Sequence, residues 1–373
     1  MTKRRGRSST FSIALFGRSR ISWKSLIAVL SVLLGGIGCQ STRMPTDVLP
    51  NEPIAFLYWE DRAASQRAKV FAKAGEIPRQ PVNEGNRARV EELDIRTHLR
   101  AEISPALRSQ LSKHPGRLML FWPQTEKLER IEAAPADALP LAWSKDHKRL
   151  LFASAHRGEK EQLYEYHVDR RDLSVVTVGP DEHPRGSYDA EGNIVIERLR
   201  RGPRGEAARQ TLHLSNPSGR VGDVVAEDVP PGTVRISPAG DLVVFEQVNP
   251  RRRRDGPTVY ESLIATVDLT GSGVSKSLLK GREPVWTPDG HWIVFASPSS
   301  AGYRLRRMRP DGTSRVPISP GGTEERMPAV SPDGEYVAYV QVVNGKRRLA
   351  VKSFDGKGGR VLISKGWTEF PVW

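Results

Sequence analysis

A tight turn that recurs at nearly constant spacing constrains this chain more than any other feature. Residues 286–297 (WTPDGHWIVFAS) read as strand, turn, strand. In Thr287-Pro288-Asp289-Gly290, Pro presets φ and Gly takes the position where positive φ is cheap. Trp292 to Phe295 is then a short apolar run of strand type. The unit returns at Val330-Ser331-Pro332-Asp333-Gly334 and Ile236-Ser237-Pro238-Ala239-Gly240, with weaker copies from Tyr188 (YDAEGNIVIE) and Trp143 (WSKDHKRLLFAS). The chain ends on the anchor alone, Pro371-Val372-Trp373, and successive anchors lie 43 to 50 residues apart. Nine residues after the anchor, four copies carry an aromatic (Phe152, Phe245, Phe295, Tyr339), and the copy at Tyr188 carries Glu197 instead. A period of roughly 40–50 residues with four short strands per repeat predicts propeller blades.

Each period holds a second turn, as at Arg309-Pro310-Asp311-Gly312 and Ser353-Phe354-Asp355-Gly356. A blade therefore reads as A strand, Pro-Gly turn, B strand, variable loop, C strand, Asp-Gly turn, D strand. Residues 54–60 (IAFLYWE) match a B strand with no A strand before it, while residues 369–373 (EFPVW) match an A strand with nothing after it. Pairing the two closes a ring and leaves neither as an open edge. The expectation is an all-β, six-bladed β-propeller of four-stranded antiparallel blades over residues 54–373. The first blade carries an insertion, residues 61–117, with helical candidates at Ala63–Ala74 and residues 105–112.

The net charge of +14 overstates how basic the folded part is. Residues 1–38 hold seven Lys or Arg and no acid, so residues 39–373 carry +7. A basic start, an apolar core from Leu26 to Leu34, a Gly-rich stretch and then Cys39 predict an export signal over residues 1–38. That apolar run is shorter than the ~20 residues a spanning helix needs. Cys39 is the only cysteine, which excludes an intrachain disulfide. Its place at the end of the apolar segment resembles a bacterial lipoprotein signal, which implies lipidation at Cys39 and, with Gln40 next, an outer-membrane position facing the periplasm. Residues 39–53 read as a flexible tether.

The pattern P-x-W-[ST]-P-D-G-x-x-[IV]-[AV]-[FY], with an Asp-Gly hairpin after it, resembles the TolB-type propeller repeat over residues 54–373. The copies at 286 and 330 carry it most fully. The resemblance implies a six-bladed propeller with a central channel. TolB, which gives the repeat its name, works in envelope integrity with the peptidoglycan-associated lipoprotein. TolB itself has an α/β domain before its propeller, whereas only residues 39–53 stand before this one, so the role of TolB does not carry over.

No Gly-x-Ser-x-Gly, His-Glu-x-x-His, paired cysteines or phosphate-loop motif occurs in the sequence. The Asp-Gly pairs lack the ligand spacing of a calcium loop, and the eight His are scattered. No metal, cofactor or catalytic residue is therefore expected. Surface is what remains. Arg200, Arg201 and Arg204 fall in or beside one B–C loop, and Arg251, Arg252, Arg253 and Arg254 fall in the next. Neighbouring blades place these loops side by side, either as solvated decoration or as a site for an anionic envelope component or protein, since Arg suits carboxylate and phosphate. A second candidate is the channel mouth, with Asp137, Arg185, Glu283, Glu325, Arg326 and Glu369 just before the A strands. Their mixed signs suggest a solvated rim. The resulting expectation is a monomeric, non-catalytic interaction module that binds no nucleic acid. The alternative is a ligand-binding or hydrolytic propeller that uses its channel.

Overall fold

A computed structural model describes residues 44–60, 116–135, 137–158, 160–200, 209–215, 221–227, 234–253, 256–270 and 275–373. The described part holds twenty-four strands in six four-stranded antiparallel sheets. Blade I is β24 (Trp367–Val372), β1 (Ile54–Trp59), β2 (Arg117–Trp122) and β3 (Lys127–Arg130). Blade II is β4 (Leu139–Trp143), β5 (Arg149–Ser154), β6 (Gln162–His167) and β7 (Asp172–Val175). Blade III is β8 (Glu182–Tyr188), β9 (Ile194–Arg200), β10 (Arg209–Ser215) and β11 (Val221–Glu227). Blade IV is β12 (Val234–Ile236), β13 (Leu242–Arg253), β14 (Gly256–Asp268) and β15 (Ser275–Lys280). Blade V is β16 (Arg282–Trp286), β17 (Ile293–Ser299), β18 (Gly302–Met308) and β19 (Val316–Pro317). Blade VI is β20 (Glu324–Val330), β21 (Tyr336–Val343), β22 (Lys346–Ser353) and β23 (Gly359–Ile363).

Ring closure is as expected. β24 pairs antiparallel with β1, with Ala55 opposite Val372 and Trp59 opposite Trp367. Residues 61–115 of the insertion, Cys39, the leader, Arg201, Arg204 and Arg254 lie outside the described residues, and Arg117, read as the insertion's end, instead begins β2. Residues 44–53, read as part of a tether, are instead packed onto the closing blade. Met44 and Leu49 are buried in the same apolar cluster as Phe56 and Trp373. Gln124 Nε2 donates to the Leu49 carbonyl at 2.7 Å, and Trp373 Nε1 donates to the Glu52 carbonyl at 3.0 Å. Polar composition hid two apolar anchors spaced to reach the blade.

The recurrent turn has a side-chain relay behind it. The hydroxyl of Thr287 donates to Asp289 at 2.5 Å and accepts the amide of Trp292, the second residue after the turn, at 3.0 Å. Ser331 does the same with Asp333 and Tyr336, and Ser144 with Asp146 and Arg149. Where Ala239 replaces the Asp, Asp241 takes its place, accepting from Ser237 at 2.6 Å. These local bonds favour the turn before any sheet forms. The aromatics nine residues after the anchors are all buried, with Phe152, Phe245, Phe295 and Tyr339 filling the spaces between sheets.

Five of the six A strands, which line the channel, are bulged against their B strands: β4, β8, β16, β20 and β24. Pro140, Pro184, Pro284, Pro328 and Pro371 sit at or within those bulges. An innermost strand has only one neighbour, so a residue without an N–H is tolerated there. Before three of these prolines the backbone turns to positive φ, at Glu283 (56°), Met327 (52°) and Phe370 (54°).

Candidate functional site

The A strands enclose an axial cavity of about 460 Å³ at the face of the A–B turns. Its rim carries Trp143, Tyr188, Trp286 and Trp373 with Pro238, Pro288 and Pro332. The indole N–H groups of Trp143 and Trp286 are taken by backbone carbonyls, those of Val372 and Arg235. They fix the rings between blades and leave only apolar surface for the cavity. Toward the opposite face the channel narrows to about 50 Å³, bordered by Arg185, Glu283, Met327 and Phe370.

The six residues read as a channel mouth do not form a solvated rim. Arg185, Glu283, Glu325, Arg326 and Glu369 are buried, and Asp137 is half-buried. Arg326 Nη2 donates to Glu283 Oε1 at 2.8 Å, and the Met327 amide donates to the other oxygen at 2.6 Å. Glu283's own amide donates to Glu246 Oε2 at 3.1 Å, beside the Arg282–Glu246 pair at 3.0 Å. The Phe370 amide meets Met327 Sδ at 3.3 Å. The amides of the three positive-φ residues are thus each held by a side chain of the preceding blade, which supports their φ values. Glu369 takes Arg347 at 2.8 Å. Glu325 takes Lys352 Nζ at 2.5 Å, and burial lowers the pKa of that lysine below its ordinary value. Arg185 pairs with Glu197 of its own blade at 2.8 Å. Asp137 accepts from Ser154 Oγ and the Ala155 amide, clipping the end of β5. Five of the six charges predicted from sequence are therefore in ion pairs: Glu283–Arg326 and Glu369–Arg347 tie neighbouring blades, and Arg185–Glu197 and Glu325–Lys352 lie within one blade. The sequence could not show which partner each charge had.

The basic loops also differ from the expectation. Arg251, Arg252 and Arg253 are not in a loop but in β13, which pairs with β14 as far as Arg253 opposite Gly256. This ribbon outruns the other B strands and projects from the face opposite the wide mouth. Arg200 is exposed at the end of β9, within 3.4 Å of Asp181.

Sequence reading missed Arg235. The residue just before each anchor faces the cavity, giving a ring of Ala142, Ser187, Arg235, Val285, Ala329 and Val372. Five are small or aliphatic, and one is a long cation. The same comparison was available in the repeat alignment, one column before the anchor. Arg235 Nη1 donates to the neighbouring Val234 carbonyl at 3.0 Å, and no carboxylate among the described residues pairs with its guanidinium. Burial, and then the Arg185 charge, push its pKa down to about 10, so it stays cationic at neutral pH. Among the described residues no group of His, Cys, Asp and Glu could hold a metal ion. No described helix is long and apolar enough to cross a membrane.

No protein-family model matches the sequence, and no curated protein matches it. Solved structures do match in fold. TolB from Acinetobacter baumannii is 17% identical with a TM-score of 0.57, covering 93% of this chain and 70% of its own. A putative TolB from Agrobacterium tumefaciens is 21% identical with a TM-score of 0.51, covering 66% of this chain and 87% of its own. Hydrazine synthase from Kuenenia stuttgartiensis is 13% identical with a TM-score of 0.55, covering 86% of this chain and 46% of its own. Enzymes and non-enzymes share this architecture, so the likeness establishes a fold and leaves the chemistry to the site. The fold is a TolB-like six-bladed β-propeller.

Proposed function

We propose that this chain is a non-catalytic binding module of the bacterial cell envelope, held at a membrane by a lipid on Cys39 and recognising its partner through the wide mouth of its channel. The observation that carries the reading is the axial cavity of about 460 Å³, with walls more apolar than polar, Ser187, Asp189 and Arg235 set among them, and aromatics fixed at its rim. Its size falls in the range of ligand pockets, and convergent apolar walls with few polar groups are their usual lining. The carboxylates that line the channel, Asp189 and Glu283, accept bonds from Asn193, Arg326 and backbone amides. They support the walls rather than stand ready as acids or bases. The envelope setting rests on the leader and Cys39, together with the TolB-like fold.

The test is crosslinking capture from envelope membranes by the full chain, by Val285→Trp, which plugs the channel, and by a variant with Arg251, Arg252 and Arg253 changed to Ser on the opposite face. Capture lost on plugging and kept in the Ser variant supports the reading. Capture indifferent to the plug but lost in the Ser variant moves recognition to the ribbon. In the same membranes Cys39→Ala should shift the protein to the soluble fraction, and a variant that stays membrane-bound rules out the lipid anchor.

A further inference from the structure

We infer that the channel reads a carboxylate carried on an apolar body, with Arg235 as the group that binds the anion. This rests on the reading of the wide mouth as the binding site and names the chemistry of what enters it.

Six equivalent positions ring the axis, and a smooth apolar ring needs no arginine. Ala142, Val285, Ala329 and Val372 show what the fold accepts there. The folded chain gives the Arg235 guanidinium one hydrogen bond, to the adjacent carbonyl, where a guanidinium has five N–H donors. The other buried charges that border the channel are held: Arg185 pairs with Glu197 and Glu283 with Arg326, while the Asp189 carboxylate accepts from the Asn193 side chain and the amides of Glu191 and Asn193. A half-buried cation without a counter-charge costs free energy in the empty protein. An incoming anion recovers that cost, and a planar guanidinium fits a carboxylate through two parallel bonds. Arg235 lines both the wide cavity and its narrow continuation, so it stands at the floor. A ligand bound there has its anionic end inward and its apolar body against Val285, Val372 and the rim tryptophans. Lys145 at the rim adds attraction for an approaching anion.

A carboxylate of this kind can come from the C-terminal end of an apolar peptide or from a small free acid, and the probes separate the two. The full chain is titrated by calorimetry and ligand-observed NMR with acetyl-Leu-Phe, its C-terminal amide, and 3-phenylpropanoate. The expected result is that acetyl-Leu-Phe or 3-phenylpropanoate binds, and that Arg235→Met weakens it by about 10- to 100-fold, the size of a lost charge-assisted bond. Arg235→Lys should retain part of the affinity. Tighter binding of the peptide marks a peptide end as the source, and tighter binding of 3-phenylpropanoate marks a small acid. In the peptide case the amide should bind as weakly as Arg235→Met binds the acid. Arg235→Met should melt no lower than wild type, which separates lost recognition from lost folding. Acid and amide bound alike, Arg235→Met binding as wild type, or no carboxylate bound at millimolar concentration each overturns the inference. If Val285→Trp abolishes partner capture while Arg235→Met does not, the channel remains the binding site and only its anion selectivity is refuted.

Discussion

Glu197 stands where four sister blades bury an aromatic, and the structure makes its dependence on Arg185 measurable. The two side chains are 1% and 6% exposed, with Arg185 Nη1 at 2.8 and 3.2 Å from the two carboxylate oxygens. Even with this partner, burial holds the Glu197 pKa above its ordinary value, with Arg185 acting in the opposite sense. Arg185→Met removes the counter-charge and leaves a buried carboxylate, at a cost of about 3–5 kcal/mol. Arg185→Met/Glu197→Met removes both charges at similar volume and should lie within about 1 kcal/mol of wild type or above it. For a chain of this size the unfolding entropy is roughly 0.7 kcal/mol/K, so the single variant should melt about 4–7 °C lower. A raised folded-state pKa means that folding favours the protonated form. The penalty in Arg185→Met should therefore be smallest near or below pH 4.5, the ordinary Glu value, and should grow as pH rises. Arg185→Met/Glu197→Gln should lack that dependence. Urea titrations across pH, with calorimetry at neutral pH, read all four proteins. A double variant as unstable as the single, or a single variant within 1 kcal/mol of wild type at neutral pH, refutes the argument.

Two further predictions test other parts of the frame. Gly366 has φ +71°, and an added Cβ would lie 2.4 Å from the Tyr58 ring and 2.5 Å from the Trp59 carbonyl. Gly366→Ala should thus cost at least about 3 kcal/mol in urea unfolding. Gly290→Ala has φ +70° with its nearest neighbour at 3.5 Å and should cost only about 1–2 kcal/mol. Equal costs would show that backbone conformation alone decides both. His183 is buried, its Nδ1 3.0 Å from Gln162 Oε1. Burial first and the Arg198 charge second push its pKa from 6.5 to about 4. Folding favours the neutral ring, so this stability is complete above pH 6.5 and is lost as pH falls toward 4, by on the order of 3 kcal/mol. His183→Gln should flatten that part of the stability curve, and an imidazole that titrates by NMR near pH 6.5 would contradict the assignment.

The ring was legible because its information is local and repeated. Thr287-Pro288-Asp289-Gly290 and its copies specify hairpins through turn conformation and a hydroxyl–carboxylate relay. Their period specifies blades, and the stray strands at residues 54–60 and 369–373 specify closure. Glu197 marked a broken pattern, but the sequence could not show that Arg185, twelve residues earlier, would reach it across the sheet. Nor could it show that Arg326 would find Glu283 in the neighbouring blade. Charges just before a strand look the same on paper whether they face water or an adjacent sheet, and only the packing of blades around an axis decides which. That packing also turned an apparent loop of arginines into a paired ribbon and drew Met44 and Leu49 onto the closing blade. Arg235 lies between these cases. Its column in the repeat was readable, but its meaning came from the axis, where six separate strands bring one unmatched cation together with five small neighbours.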